Sequence, residues 1–532
     1  MPGCAPPADA LNLGCIGRLP IATEVELKLA AAAPDLPKLK RALLDLAPGS
    51  EGSCAALSTT YYDTPALDLQ RRGLSLRVRE ADGRFVQTVK AEPAAEAGLL
   101  ARGEWEDVIA GTGPDLRAPS SAGCLPEGLG EGLHPLFATA VKRTVIAIEP
   151  DPALRIEAAV DEGEIRDIAT SSVAPLSEIE LELKRGDAGA LFDTALKLLD
   201  VAPLRIETRS KSERGYAIAA GKAAPPAPVH AQTPALDPAM SVETALRTVG
   251  RACLAHLLHN EAAALAGDPE GVHQMRVALR RISSALSAFK PMLPIEQRRW
   301  AQKQVARLEA PLGPARNLDV FAGDLLPPGR AGLSGGADLD RLAAAVEAAR
   351  LVAHARVEQA ILSRDHTEAV LRLLRWVETG SWREPDLTAW PDPLDAPLGA
   401  VAPQLLDHCR RALRKRSKGL CRQTAKQRHR VRIAVKRLRY TSELFTGLFD
   451  QQELRSFGRQ LRKLQDDLGY ASDVEAGRAI VRELCTGLPN ARPLARAGTL
   501  VLDWHRRALA AAEPGLREQL RRLNRAAPFW RN

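Results

Sequence analysis

The stretch IATEVELKLA, Ile21 to Ala30, sets Glu24, Glu26 and Lys28 at every second position, with Val25 and Leu27 between them. Side chains alternate faces along a strand, so the three charges share one face and the apolar pair takes the other. On an ordinary half-buried strand that charged face meets water. On the inner wall of a barrel it meets a ligand.

The bulk properties set the frame. A chain of 532 residues exceeds one core and points to about two to four domains. No apolar run reaches the roughly 18–20 residues that span a bilayer, so no membrane partner is expected. The opening MPGCAPPADALNLGCIGRLP lacks a basic start and a solid apolar run, so no secretory signal is expected. The 8 cysteines are scattered without a Cys-x-x-Cys pair. That argues against a zinc ribbon and a disulfide framework and suits a reducing cytoplasm.

The net charge of +8 hides an asymmetry. Up to residue 225 there are 25 Lys+Arg and 33 Asp+Glu, or −8; the remainder has 73 − 25 = 48 and 65 − 33 = 32, or +16. The two parts meet at a Pro/Ala-rich linker, 221–239. Before it, β-patterned segments recur at 22–29, 74–80, 84–91, 101–109, 141–149, 153–160, 163–169, 176–184 and 203–209. After it the chain is rich in Ala, Leu and Arg with helical periodicity. The expected fold class is α+β: an antiparallel β domain followed by an all-α domain.

The opening pattern repeats through the β part. LSLRVRE aligns Arg77 and Arg79; FVQTVKAE aligns Thr88 and Lys90; ARGEWEDVI aligns Arg102, Glu104 and Glu106; SEIELELKRG aligns Glu178, Glu180, Glu182 and Lys184. A barrel with its apolar face packed outward, against helices such as 35–46 and 187–200, encloses this charged face. Buried charge is costly unless it is paired or meets a ligand. Glu-x-Glu pairs are hard oxygen ligands suited to Mg²⁺ or Mn²⁺. Arginine and lysine suit phosphate oxygens. Together they describe a site for a metal-bound phosphate chain.

The Glu24-x-Glu26-x-Lys28 start, YYDTPALDLQRRGLSLRVRE (61–80), QTVKAE (87–92), EIELELK (178–184) and RSKSERGY (209–216) resemble the CYTH domain of the triphosphate tunnel metalloenzymes. The resemblance spans 21–220, after an N-terminal extension of 1–20 that the family's opening strand normally lacks. It implies an eight-stranded antiparallel tunnel. It implies metal ligation by Glu24, Glu26, Glu180 and Glu182, with Glu24, Glu26 and Lys28 as catalytic residues. It implies phosphate binding by Arg77, Arg79, Lys90, Arg143, Lys184 and Lys211.

The helical part repeats itself. VHQMRVALRRISSALSAFKP (272–291) aligns with RHRVRIAVKRLRYTSELFTG (428–447), matching His273, Arg276, Arg280 and Arg281 to His429, Arg432, Lys436 and Arg437. Downstream, VARLEAPLGPARNLDVF and LRKLQDDLGYASDVEAG align Asp319 with Asp473. A period of about 156 residues fits a duplicated helical bundle rather than a solenoid unit. Positions 0, +3 and +7 fall on one helix stripe. From His408 to Ser442 there are 14 Lys+Arg and no Asp or Glu, a self-repulsion that calls for a polyanion.

These paired His-x-x-Arg-[Val/Ile]-x-x-[Arg/Lys]-Arg motifs resemble the CHAD domain, over 240–525, with repeats at about 240–390 and 395–525. The resemblance implies two pseudo-symmetric four-helix bundles that bind inorganic polyphosphate through His273, Arg276, Arg280, Arg281, His429, Arg432, Lys436, Arg437 and Arg439. The histidines are expected to touch phosphate or to be structural.

The expected function is cytoplasmic, metal-dependent hydrolysis of inorganic triphosphate, with polyphosphate binding and association with polyphosphate granules. Thiamine triphosphatase and adenylate cyclase are the rivals within the tunnel class. A non-enzymatic granule protein is the rival outside it, and the intact glutamate pairs argue against it. Nucleic acid is not expected: base-stacking aromatics are few and no helix-turn-helix or RNA-binding signature is present.

Overall fold

The computed structural model describes residues 25–91, 99–100, 103–126, 129, 132–221, 227–328, 336–383, 393–420, 423–486 and 490–531. Glu24 and the 1–20 extension lie outside them. The chain divides into two units. One takes in the described residues up to Gly186 and from Arg209 to 221; the other takes in Asp187–Thr208 and the described residues from 227 onward.

The first unit is a nine-stranded antiparallel sheet: β1 Glu26–Ala31, β2 Ser53–Asp63, β3 Leu74–Ala81, β4 Arg84–Ala91, β5 Leu99–Leu100, β6 Glu104–Ile109, β7 His134–Asp151, β8 Leu154–Asp167 and β9 Val173–Arg185. The order is β1-β9-β8-β7-β2-β3-β4-β6, with β5 on β1. This corrects the expected eight strands. The segment expected as one strand over 101–109 is two, β5 and β6, and they pair with opposite edges of the sheet, β1 and β4. Among the described residues no ladder joins β1 to β6, so hydrogen bonds do not close the sheet. Only four peptide units separate Leu100 from Glu104, so the two edges come within about 15 Å of each other there. The sheet therefore curls into a tunnel wall.

Two other strand limits differ from the sequence pattern. β2, SCAALSTTYYD, has small side chains and little apolar contrast, and its ladders to β3 and β7 fix it. β8 runs unbroken through Gly163, where the pattern suggests two strands. A Cβ at Gly163 would sit 2.0 Å from the Ala140 carbonyl oxygen of β7, so only glycine lets the strands approach there.

In β1 the apolar Leu27 and Leu29 are 0% exposed, yet Glu26 is only 6% and Lys28 only 4% exposed. Both faces are buried, which a solvated outer face cannot be. The apolar face packs outward, in part under the helix Leu36–Asp45, which buries Leu36, Leu39 and Leu43 and contacts β7 and β8.

The helix Lys211–Ala219 also lies against β7 and β8. Its start is a capping box, with Ser210 accepting from the Glu213 amide and Glu213 accepting from the Ser210 amide. A Cβ on Gly215 would fall 2.0 Å from the Phe137 ring, so glycine permits this docking. Phe137 stacks on Tyr61 and meets Tyr216 edge-on.

The second unit is dominated by helices. Helix Gly189–Leu199 belongs to it and packs on the helix Arg364–Thr379, where Arg375 pairs with Asp193 at 2.6 Å. The first repeat includes Val242–His259, Pro269–Ala288, Ile295–Glu309, Leu312–Val320, Gly336–Ile361 and Arg364–Thr379; the second has Leu398–Arg416, Ala425–Leu444, Gln451–Cys485 and Arg492–Arg525. Pro269–Ala288 and Ala425–Leu444 are the two basic helices, and they pack on each other. Their C-caps, Phe289 and Phe445, are both fully buried and meet edge to face at 6.2 Å. The duplication thus forms one core between its copies. Among the described residues no helix is long and apolar enough to cross a membrane.

Candidate functional site

The tunnel encloses about 700 Å³, and its wall takes in Glu26, Lys28, Arg77, Arg79, Lys90, Arg143, Glu180, Glu182, Lys184 and Lys211. Every described tunnel residue singled out from sequence is therefore in one cavity. The strand registers arrange them in rows. Glu26 of β1 lies opposite Glu182 of β9, which lies opposite Glu157 of β8. Lys28 lies opposite Glu180. Like charges facing each other across a ladder are unfavourable unless a cation lies among them.

Part of that cation charge is built in. Lys28 Nζ lies 3.1 Å from Glu26 and 3.2 Å from Glu180. Arg143 donates to both oxygens of Asp161, at 2.8 and 2.6 Å, and to Glu180 at 2.5 Å. Lys211 reaches Asp161 at 2.9 Å, Glu178 at 2.5 Å and Glu180 at 2.9 Å. Burial works to raise the Glu180 carboxyl, but Lys211, Lys28 and Arg143 outweigh it and hold it well below the usual range. The same pairs overcome burial in the other direction and raise Lys211 and Arg143.

The opposite wall has the reverse imbalance. Lys90 and Arg77 share Glu104, at 2.9 and 3.4 Å. Arg79 has no carboxylate within ion-pair distance among the described residues. Its guanidinium is lowered to about 10, first by the charge of Arg77, then by burial and by Arg143. Tyr61 lies among them. Burial would raise its phenol, but Arg77, Arg79 and Lys211 pull it below its ordinary value. A cluster of guanidiniums short of anions is a site for an anion.

The oxygens of Asp161, Glu178 and Glu180 lie within 4.8 Å of one another, close enough to hold a metal ion together. The row Glu26, Glu182 and Glu157 is a second set of hard oxygen donors. Both sets fit the chemistry of Mg²⁺ or Mn²⁺. Asp161, Glu157, Glu104 and Tyr61 belong to the cavity without having been singled out as site residues. The alternation in RIEAAVD carries the signal for Glu157 and Asp161, since Ala159 stands between them on the same face.

The helical unit has its own charged cavity, of about 830 Å³. The two basic helices line it with His273, Arg276 and Arg280 from one and His429, Arg432, Lys436 and Arg437 from the other. Arg316 adds a further cation; the carboxylates present are Glu309, Asp324, Asp466 and Asp473. Burial first, then Arg432 and Arg280, lowers the Lys436 ammonium to about 7. Burial first, then Arg316 and Arg280, lowers His273 to about 4. Burial raises Asp473 even though Arg432 and Lys436 pull the other way.

Two residues of the expected set lie elsewhere. Arg281 is buried beside Cys253 and His256. Arg439 stacks on Tyr440 at 4.6 Å and pairs with Glu443. The repeat alignment also needs one correction. Asp319 does not line the cavity; it accepts from Arg350 at 2.7 Å and meets His354 at 2.9 Å. The residue that faces the cavity with Asp473 is Asn317, and 473 − 317 = 156 keeps the spacing of His273 to His429. The gapped match of the two aspartates obscures this.

Residues 22–216 match the CYTH domain and residues 248–482 match the CHAD domain. An inorganic triphosphatase of Haemophilus influenzae is 32% identical over 200 residues, which is 36% of this chain and 54% of that protein. The chain thus spans about half the length of that curated relative. Among solved structures, the CHAD domain of the plant Ricinus communis is 29% identical and covers 57% of this chain and 98% of its own, with a TM-score of 0.49. A Hippeastrum protein described as having a dominant triphosphatase activity is 21% identical and covers 38% of this chain and 98% of its own, with a TM-score of 0.30.

Proposed function

From a chain that carries a CYTH domain followed by a CHAD domain, we propose that the tunnel hydrolyses inorganic triphosphate with Mg²⁺ or Mn²⁺, and that the basic helical cavity binds inorganic polyphosphate. One observation carries the hydrolytic reading: a row of carboxylates and a cluster of under-paired guanidiniums face the same cavity. A metal-bound phosphate chain answers both at once.

Arg77, Arg79 and Arg143 bind phosphoryl oxygens and fix the chain along the tunnel, with Lys90 and Lys184 at the wall. Glu26, Glu180 and Glu182, with Glu24 by the family pattern, hold the divalent ion, which supplies charge to the phosphate oxygens when bound. Water oxygen bonds to a terminal phosphorus as the bridging P–O bond breaks, giving phosphate and diphosphate. Charge growing on the leaving oxygen is met by guanidiniums already in position. Glu180, held far below the carboxylate range, is a holder of cations rather than a base.

The test is phosphate release from tripolyphosphate, ATP and thiamine triphosphate, each with Mg²⁺, Mn²⁺ or EDTA. Tripolyphosphate with metal should be fastest, and EDTA should abolish turnover. A preference for thiamine triphosphate or ATP would move the substrate assignment within the tunnel class. For the helical cavity, long-chain polyphosphate should outcompete duplex DNA by at least about tenfold at ~150 mM salt, and its affinity should fall steeply with salt. A duplex that wins would remove the polyphosphate reading.

A further inference from the structure

A smaller hollow, of about 190 Å³, lies in the helical unit between the helices Leu398–Arg416 and Ala425–Leu444, with Ile295–Glu309 beside them. Its charged lining has one sign. Lys290, Arg298, Arg416 and Arg437 face it with the imidazole of His408, and no carboxylate does. Among the described residues none of those four lysine and arginine side chains makes an ion pair. Burial first, then the charge of Arg416, lowers the Arg437 guanidinium, and only the Cys409 thiol works the other way. Cations gathered round a partly buried space repel one another unless an anion joins them.

The two copies of the repeat differ at this place. The helices Val242–His259 and Leu398–Arg416 begin 398 − 242 = 156 residues apart, which pairs Cys253 with Cys409 as it pairs Arg281 with Arg437. In both copies the arginine bears on the thiol. In the first copy Arg281 is buried, and the neighbouring His256 and Asn260 both meet the Val229 carbonyl, at 2.9 and 3.0 Å. The same spacing puts Ala412 and Arg416 at those two positions of the second copy, and both line the hollow. A methyl stands where the first copy has a ring, and a cation where it has an amide. A packed place has become a charged hollow. Arginine and lysine without carboxylates suit phosphate oxygens. At about 190 Å³ the hollow has under a quarter of the 830 Å³ of the basic cavity, so its ligand is compact. A monocarboxylate would leave most of the positive charge unanswered, whereas orthophosphate and diphosphate carry multiple charges.

We propose that this hollow is a further anion site, for one compact phosphate group. The group is either free orthophosphate or diphosphate, or the end of a polyphosphate chain that reaches it past Arg437, which lines the hollow and the basic cavity alike. The site stands on its own cations and does not depend on the basic cavity taking polyphosphate.

The experiment uses the full chain in EDTA, so that nothing is hydrolysed, and follows acetylation of Lys290 by peptide mass spectrometry at fixed ionic strength. Lys290 is exposed and lines the hollow; Lys197, exposed and outside it, is the internal reference. Diphosphate should slow the acetylation of Lys290 at least about threefold and leave Lys197 unchanged. Long-chain polyphosphate is the second arm. Ala412→Leu refills the hollow and Arg416→Gln removes an exposed cation from it; each should raise the concentration for half-protection at least about fivefold. Circular-dichroism melts report that both variants are folded. Protection by diphosphate that the variants weaken supports the site with a free anion as its ligand. Protection by polyphosphate alone, weakened likewise, supports it with a chain end. Protection by neither, equal slowing at Lys197, or protection that either folded variant retains in full overturns the site. Polyphosphate that still binds the chain in that case leaves the basic cavity standing.

Discussion

Tyr216 donates a hydrogen bond of 2.9 Å to Asp63, although 153 residues separate them. Asp63 is fully buried and also accepts from the amides of Thr64, Leu69 and Gln70. The same carboxylate therefore shapes the turn after β2 and anchors the helix that begins with Lys211. Tyr216→Phe should lower the unfolding free energy by about 1.5–3 kcal/mol, the usual worth of a hydrogen bond to a charged group. It should also reduce hydrolysis, because Lys211 loses its fixed position. Urea melts and initial rates on the same preparation measure both; an unchanged melt would mean that the backbone amides alone hold Asp63.

Glu26→Gln and Glu182→Gln keep the side-chain shape and remove one charge each from the carboxylate row. Metal-dependent hydrolysis should fall by roughly 10²-fold in either variant, with the circular-dichroism spectrum unchanged. Normal turnover at low Mg²⁺ would rule out this row as the metal site.

Arg79→Ala removes a buried cation on which the repulsion of Arg77 and Arg143, with burial, outweighs the attraction of Tyr61 and Glu106. Its KM for tripolyphosphate should rise at least about tenfold, while its melting temperature does not fall. The melt separates the two roles: a structural arginine would lower it, and a substrate-binding arginine held against repulsion would not.

Lys436 supplies a pH dependence. Its ammonium is lowered to about 7, so the unfolded chain holds a proton there that the folded chain has released between about pH 7 and the ordinary lysine range. Its contribution to stability therefore rises with pH through that window, and Lys436→Met should flatten the rise. Polyphosphate affinity should move the opposite way and fall as pH increases from 6 to 8, since the cavity loses a cation. Lys436→Arg should abolish that fall. His273, at about 4, is already neutral throughout the window. Anisotropy titrations at fixed ionic strength measure the slope, and a flat profile for the unmodified chain would remove Lys436 from the site.

Much of this was legible in the sequence because alternation is a one-dimensional signal. Glu26, Lys28, Arg77, Arg79, Glu180 and Glu182 could be placed on shared faces by counting in twos. What alternation could not give is which strand adjoins which. Asp161 became a member of the Glu178 and Glu180 cluster only through the β8–β9 register, and Lys211 through the docking of a helix that Gly215 permits. β2 was missed because small side chains carry little contrast between its faces. In the helical part the stripe His273, Arg276 and Arg280 followed from helix geometry. Arg281 did not join it: it is buried beside Cys253 and His256, whereas Arg437, at the same +8 position of the second copy, does line the cavity, so the helix position alone did not decide.

The helix Gln451–Cys485 is 35 residues long, about 52 Å from end to end, and it presents Gln465, Gly469 and Asp473 to the basic cavity and Leu468, Ala471 and Glu475 to a second cavity, of about 540 Å³, on its other side. Such a rod has no hinge of its own along its length. A tilt imposed on one side is transmitted as a displacement on the other, in the manner of a beam resting on two supports. Ligands on the two sides of that beam would then feel each other without touching, and by reciprocity each would change the other's affinity by the same factor.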